Sequence, residues 1–220
     1  MEKKEIREAL DLIKRGVELL EMTLSKKEPV KRNFIQVGDV MMRDFNVLKP
    51  WEAKTRVQDV LGIVFSVSDI DIKIIAERCS GLPYLTKTVN DDYSSDLSVE
   101  ELKSNMNGLM NTNIMISCME GTFPMLEYCM DYSRFTLDKG MWYIPAIGEL
   151  YKIFKYKEIL NKTLEYLGFN RIYEVWYASS NATPTQTYVF DMEEGCIHTN
   201  DEVLHMGFVL PCLSLVYDEI

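Results

Sequence analysis

The sequence predicts an α+β domain preceded by an amphipathic N-terminal helix. Three observations predict it: apolar residues at heptad spacing near the start, helix-period segments in the middle, and strand-like runs on either side of them. At 220 residues the chain can bury one sizeable core, and its 47% hydrophobic content is that of a packed protein. A net charge of -10, from 24 basic against 34 acidic residues, argues against a general binder of nucleic acid or of anionic membrane.

The first element is a helix over residues 1–25. Ile6, Leu10, Ile13, Val17, Leu20 and Leu24 follow one another by alternating steps of four and three, the rhythm of a coiled-coil seam. Ile6, Ile13 and Leu20 fall at d positions, and isoleucine there leans toward trimers, so a homo-oligomer is expected with a trimer favoured. The alternative is an amphipathic helix docked on its own domain, since Leu12 and Leu19 widen the stripe and Gly16 weakens the helix by about 1 kcal/mol. Residues 26–35, with Lys26, Lys27, Pro29, Lys31 and Arg32, read as a linker, and 36–220 as the domain.

Within that domain, Phe34 to Met42, Val60 to Val67 and Ile70 to Ala76 read as strands, and residues 80 to 97 as an irregular loop. Ser98 and Glu101 have capping-box spacing ahead of a short helix interrupted at Asn107-Gly108. Pro124 opens a helix to Tyr132 with Met125, Tyr128 and Cys129 on one face. Gly140 to Leu150 joins an aromatic strand to a helix that Pro145 starts, with Ile147, Leu150, Tyr151 and Phe154 on one face. A second helix, Tyr156 to Leu167, stops at Gly168. Strand patterning returns at Tyr173 to Ala178, Thr187 to Asp191 and Gly207 to Val216, and the last strand is expected beside the first.

Five cysteines, Cys79, Cys118, Cys129, Cys196 and Cys212, form no CxxC pair and read as reduced, mostly buried thiols. The opening residues are charged rather than signal-like, and no apolar run of about 18 residues occurs. No secretion signal and no membrane insertion are therefore expected.

The order of motifs carries a resemblance. Val37-Gly38-Asp39, Asp44-Phe45-Asn46-Val47, Leu61-Gly62-Ile63-Val64-Phe65, Asn107-Gly108, Pro124, Tyr128-Cys129 and Trp142-Tyr143-Ile144-Pro145-Ala146-Ile147-Gly148-Glu149-Leu150 follow one another in that sequence. This order resembles the C-type-lectin-like domains of bacterial and phage surface proteins, including the C-terminal domain of collagen-like adhesins and the variable proteins of diversity-generating retroelements. It covers residues 36 to 217. Two departures stand out: the family's Tyr-Trp-Ser-Ser-Thr strand is Trp176-Tyr177-Ala178-Ser179-Ser180 here, and its terminal Arg-Pro-Val is Leu210-Pro211-Cys212. The resemblance implies a C-type-lectin-like fold displaying a ligand through loops before and between the last strands, usually without catalysis.

For ligand contact, Tyr177, Ser179, Ser180, Asn181, Thr183, Thr185 and Gln186 have the Tyr, Ser, Asn and Thr mixture of paratopes, with one of Trp176 and Tyr177 pointing inward. A protein or glycan surface ligand is the expected partner. The calcium triplets of sugar-binding relatives, Glu-Pro-Asn and Trp-Asn-Asp, are missing. The oxygen-bearing clusters Asn90, Asp91 and Asp92, or Asp191, Glu193 and Glu194, read as solvated. Cys196-x-His198 with His205 is not a zinc spacing, so both histidines are expected on the surface of a connecting loop, with no metal and no cofactor. Glu149 reads as a helix-start acceptor and Cys118 and Cys129 as structural thiols, so no catalytic residue is expected.

Together these readings predict a non-enzymatic binding or assembly module, a phage virion protein of the fibre, decoration or receptor-binding kind, assembled in the bacterial cytoplasm without export. An intracellular protein-interaction module of the same fold is the alternative. An enzyme like the formylglycine-generating proteins is a third reading, and it would require a reactive cysteine pair or metal-linked thiols.

Overall fold

The computed structural model describes residues 35–83, 98–118, 124–182, 187–200 and 206–216. Over these residues the chain is α+β. In order it forms β1 (Val40–Met42), β2 (Val47–Leu48), α1 (Pro50–Ala53), a 3-10 segment (Lys54–Asp59), β3 (Val60–Val67), β4 (Asp71–Ile75) and β5 (Ser80–Pro83). Helices α2 (Val99–Ser104), α3 (Gly108–Cys118) and α4 (Pro124–Asp131), the 3-10 turn Thr136–Asp138, and helices α5 (Ile147–Lys155) and α6 (Lys157–Leu167) follow. The chain then returns to strands as β6 (Trp176–Ala182), β7 (Thr187–Asp191), β8 (Ile197–Asn200), β9 (Met206–Val209) and β10 (Cys212–Val216). The expected helix over 1–25, with Ile6, Leu10, Ile13, Val17, Leu20 and Leu24, lies outside the described residues.

The strands make two five-stranded sheets, β10-β4-β3-β1-β2 and β5-β9-β6-β7-β8. Pairing is antiparallel except where Tyr177 of β6 lies beside Phe208 of β9 in parallel. Strand β3 is apolar from Val60 to Phe65 because both its faces are covered. Ile63 and Phe65 meet Leu150, Ile153, Leu160 and Leu164 from α5 and α6, while Leu61 and Val64 join Trp142, Tyr132 and Leu213 on the other side. A third cluster sets Met115, Met125, Leu126 and Cys129 of α3 and α4 against Ala178, Val189 and Val209 of the second sheet.

Several expectations hold at residue level. Strands β3 and β7 have the predicted bounds, Ser98 and Glu101 form the capping box, and Gly168 ends α6 in the left-handed region. Others are corrected. The last strand lies beside β4, with β4 and β3 separating it from β1, because Cys212 to Val216 pair with Ile75 back to Asp71. The predicted strand Gly207 to Val216 is broken at Leu210-Pro211 into β9 and β10, which belong to different sheets. Ser80–Pro83, expected in an irregular loop, is an edge strand hydrogen-bonded to β9. The break falls at residues 105 to 107, and Gly108 opens the second helix, which runs on to Cys118.

Pro145 precedes α5 rather than opening it, since Ala146 is the cap. The buried face of that helix is Ile147, Gly148, Glu149, Leu150 and Ile153, leaving Tyr151 exposed. No helix among the described residues is long and apolar enough to cross a membrane.

Candidate functional site

The segment from Asp138 to Leu150 is a corner held by buried polar groups. Asp138 accepts hydrogen bonds from the Phe135 amide at 2.7 Å, the Arg134 amide at 3.0 Å and Trp142 Nε1 at 2.8 Å, and Trp142 packs edge-on against Tyr132. Glu149 is fully buried and accepts from the Ala146 amide at 2.9 Å, the Tyr143 hydroxyl at 3.0 Å and Lys73 Nζ at 2.6 Å. Burial pushes the Glu149 carboxyl above its ordinary range, against the opposing pull of Lys73 and the two other donors. Lys73, on β4, also donates to the Met106 carbonyl, so this one ammonium ties the first sheet to α5 and to the link between α2 and α3. Glu149 is therefore an internal hydrogen-bond acceptor, as its place in the helix predicts. Its partner was legible too: a lysine in the run Asp71-Ile72-Lys73-Ile74-Ile75, flanked by buried isoleucines, needs a buried acid.

The strand residues expected to touch a ligand belong to this corner. Tyr177, Ser179, Ser180 and Asn181 are all buried, which corrects the expectation that they lie open to a partner. Asn181 Oδ1 caps the start of α5 by accepting from the Ile147 amide at 2.8 Å, and Ser179 Oγ accepts from the Asn181 amide at 2.9 Å. The Ser180 amide donates to the Pro145 carbonyl at 2.8 Å, and the Tyr177 hydroxyl accepts from the Tyr173 amide at 3.1 Å. Short polar side chains satisfy an internal strand-to-helix junction as readily as a ligand, which is why composition alone misplaced them. Thr183, Thr185 and Gln186, on the connection from β6 to β7, lie outside the described residues.

On the opposite face of β6, Trp176 is 47% exposed and stacks on His198, ring centroids 5.3 Å apart at 26°. His198 lies in β8, paired with Val189 of β7, and not in a connecting loop. The β7–β8 hairpin closes through the Gly195 amide to the Asp191 carbonyl at 2.9 Å and the Asp191 amide to the Cys196 carbonyl at 2.9 Å. Gly195 has φ of 73°, a left-handed conformation. A Cβ there would also lie 2.5 Å from the Phe154 ring, so the turn demands glycine twice over. The turn gathers four side chains that the sequence reading kept apart. One potential ligand atom from each of Asp191, Glu194, Cys196 and His198 lies within 4.8 Å of the others. Cys196 Sγ is 3.1 Å from His198 Nε2 and 3.6 Å from Glu194 Oε2.

The Asp191 carboxylate is oriented from behind. Its Oδ1 accepts from the Glu193 and Glu194 amides at 2.7 and 3.0 Å, and its Oδ2 from Trp176 Nε1 at 2.9 Å. Partial burial works to raise its pKa, but these three donors and the nearby His198 outweigh it and hold the carboxyl below its usual value. Slight burial, then the Glu194 and Asp191 carboxylates, push the Cys196 thiol up. A signal for the cluster was present, because the Cys196-x-His198 spacing leading into β8 sets both side chains toward one face of extended chain.

Cys129 and Cys212 are buried, and burial raises both thiols well above the ordinary range. Alkylation of the native protein followed by peptide mass spectrometry is expected to modify Cys196 at least about tenfold faster than either of them, since only accessible thiols present thiolate to a reagent. Equal rates in the native state would contradict the packing of α4 and β10.

No known protein family and no curated protein matches the chain. Its α+β architecture is shared with a solved bacterial fimbrial protein. The solved structure of a fimbrial protein from Bacteroides ovatus superposes with a TM-score of 0.65 at 16% identity, covering 82% of this chain and 49% of that one. At that identity the likeness is one of fold, and this chain spans about half the length of that protein.

Proposed function

We propose that this chain is a non-enzymatic binding or assembly module, a C-type-lectin-like scaffold that presents its ligand-contacting residues on the connection from β6 to β7. The carrying observation is the anchoring of Ser179, Ser180 and Asn181 to Pro145 and Ile147. It fixes the base of that connection on the start of a buried helix, and adaptable contact residues on a rigid base are what a recognition loop requires. Thr183, Thr185 and Gln186 are the contact residues in this reading, and the N-terminal heptads join the modules, with a trimer favoured. A virion component fits the motif order. A bacterial surface appendage is the second reading, favoured by the fold shared with a fimbrial protein.

Screening the full-length chain against a glycan array and a panel of bacterial and host surface proteins tests the proposal. A triple T183A/T185A/Q186A variant is expected to lose about tenfold or more in affinity, on the order of 1.4 kcal/mol, with unchanged thermal unfolding. Undiminished binding by that variant would remove the loop assignment, and a monomeric mass in light scattering would remove the oligomer.

A further inference from the structure

We propose that Asp191, Glu194, Cys196 and His198 form a tetrahedral site for a borderline divalent cation of the zinc class. The geometry carries it. In a tetrahedral zinc site with one sulfur, one nitrogen and two oxygens, ligand atoms stand about 3.3 to 3.8 Å from one another. Here the thiol sulfur is 3.1 Å from the imidazole nitrogen and 3.6 Å from the Glu194 carboxylate, and all four groups fall within 4.8 Å. Closure onto an ion therefore needs side-chain rotations and leaves the backbone where it is.

The donor set selects the metal. A thiolate and an imidazole disfavour calcium and magnesium, while two carboxylates disfavour copper(I), which leaves an ion comfortable with sulfur, nitrogen and oxygen together. With cysteine ionised, the ligands carry three negative charges and the neutral imidazole none, so a dication leaves one residual charge. Two carboxylates beside a thiol oppose its ionisation in the metal-free chain, and the same field draws a cation in. Binding replaces the Cys196 S–H bond by a metal–sulfur bond, and the proton passes to solvent buffer.

The surroundings are those of a built site. Asp191 already receives two backbone amides and the Trp176 indole N–H, which leaves Oδ2 one lone pair to offer, and these donors fix its orientation as outer-shell partners do. Trp176 also stacks on the His198 ring, so one indole positions two of the four ligands. Four protein ligands leave no open position, so the ion serves structure, stapling the β7–β8 hairpin. None of this depends on the binding function proposed above.

Cobalt(II) is the probe. The full-length chain, reduced and stripped of metal, is titrated with Co(II) and then with Zn(II). One equivalent of Co(II) is expected to give a thiolate-to-cobalt charge-transfer band and the visible bands of a tetrahedral ion, with quenching of Trp176 fluorescence. One equivalent of Zn(II) should abolish all of these and slow alkylation of Cys196 about tenfold or more, while the rate at Cys79 stays the same. C196S should lose the charge-transfer band, H198A should bind at least about tenfold more weakly, and C79S should behave as wild type. Circular dichroism checks the fold of each variant, and if C196S fails to fold, H198A decides. The absence of a charge-transfer band at one equivalent, its persistence in C196S, or undiminished affinity in H198A would each overturn the proposal.

Discussion

Replacing Glu149 by alanine is expected to destabilise the fold by about 3 to 5 kcal/mol, the usual cost of removing one partner of a buried ion pair. Lys73, itself buried, would then have only the Met106 carbonyl and the more distant Asp71 carboxylate, 3.7 Å away, as acceptors. The Ala146 amide and the Tyr143 hydroxyl would lose their acceptor at the same time. Urea denaturation measures the loss, and the double variant K73M/E149M separates its causes. If the uncompensated ammonium dominates, the double variant will be far more stable than the sum of the two single effects allows. Additive effects would mean that the pair is not coupled. The pH dependence has a definite sign. The folded carboxyl sits above its ordinary value of 4.5, so the stability it contributes is fully present below that value. It is lost as pH rises through the folded value, a decline that E149Q should lack.

Trp142→Ala is the second large effect, about 3 to 5 kcal/mol. Trp142 is one of the largest fully enclosed side chains. It fills the space between Tyr132, which it meets edge-on at 4.8 Å, and the first sheet at Leu61 and Leu213. Its removal leaves a cavity under β3 and takes one donor from the buried Asp138 carboxylate. Trp142→Phe keeps most of the ring and loses only that donor, so it should cost about 1.5 to 3 kcal/mol, the worth of a hydrogen bond to a charged group. Thermal melts order the three proteins. Equal melting points for W142F and W142A would show that the ring volume carries no weight beside the lost Asp138 bond.

Much of this fold was legible because its signals are local. Strand β3 is apolar from Val60 to Phe65, β7 is a short β-prone run bounded by Thr187 and Asp191, and α6 has both a helical stripe and a stopping glycine. What escaped depended on partners distant in sequence. Ser80–Pro83 contains glycine and proline and has little strand character of its own; it is a strand because β9 offers an edge. Ser179 and Asn181 looked like surface groups because polarity does not say which way a side chain faces, and here the amide of Ile147, more than thirty residues back, was their reason. The Asp191 to His198 cluster was missed by weighing carboxylates for calcium and histidines for zinc separately, whereas a hairpin turn mixes the two sets.

The neighbours β4 and β10 have one more consequence. Ile75 and Cys212 face each other across the ladder, and the Ala76 amide donates to the Pro211 carbonyl at 2.9 Å. The chain thus leaves the first sheet at Ala76 and rejoins it at Pro211, side by side. A tensile load applied between Ile35 and Val216 passes through β1, β3, β4 and β10 in series, with the second sheet outside the direct line. The second sheet and the Asp191 hairpin stand outside that line, and strain reaches them through the Tyr143 bridge to Cys212 and the Lys73 bond to Glu149.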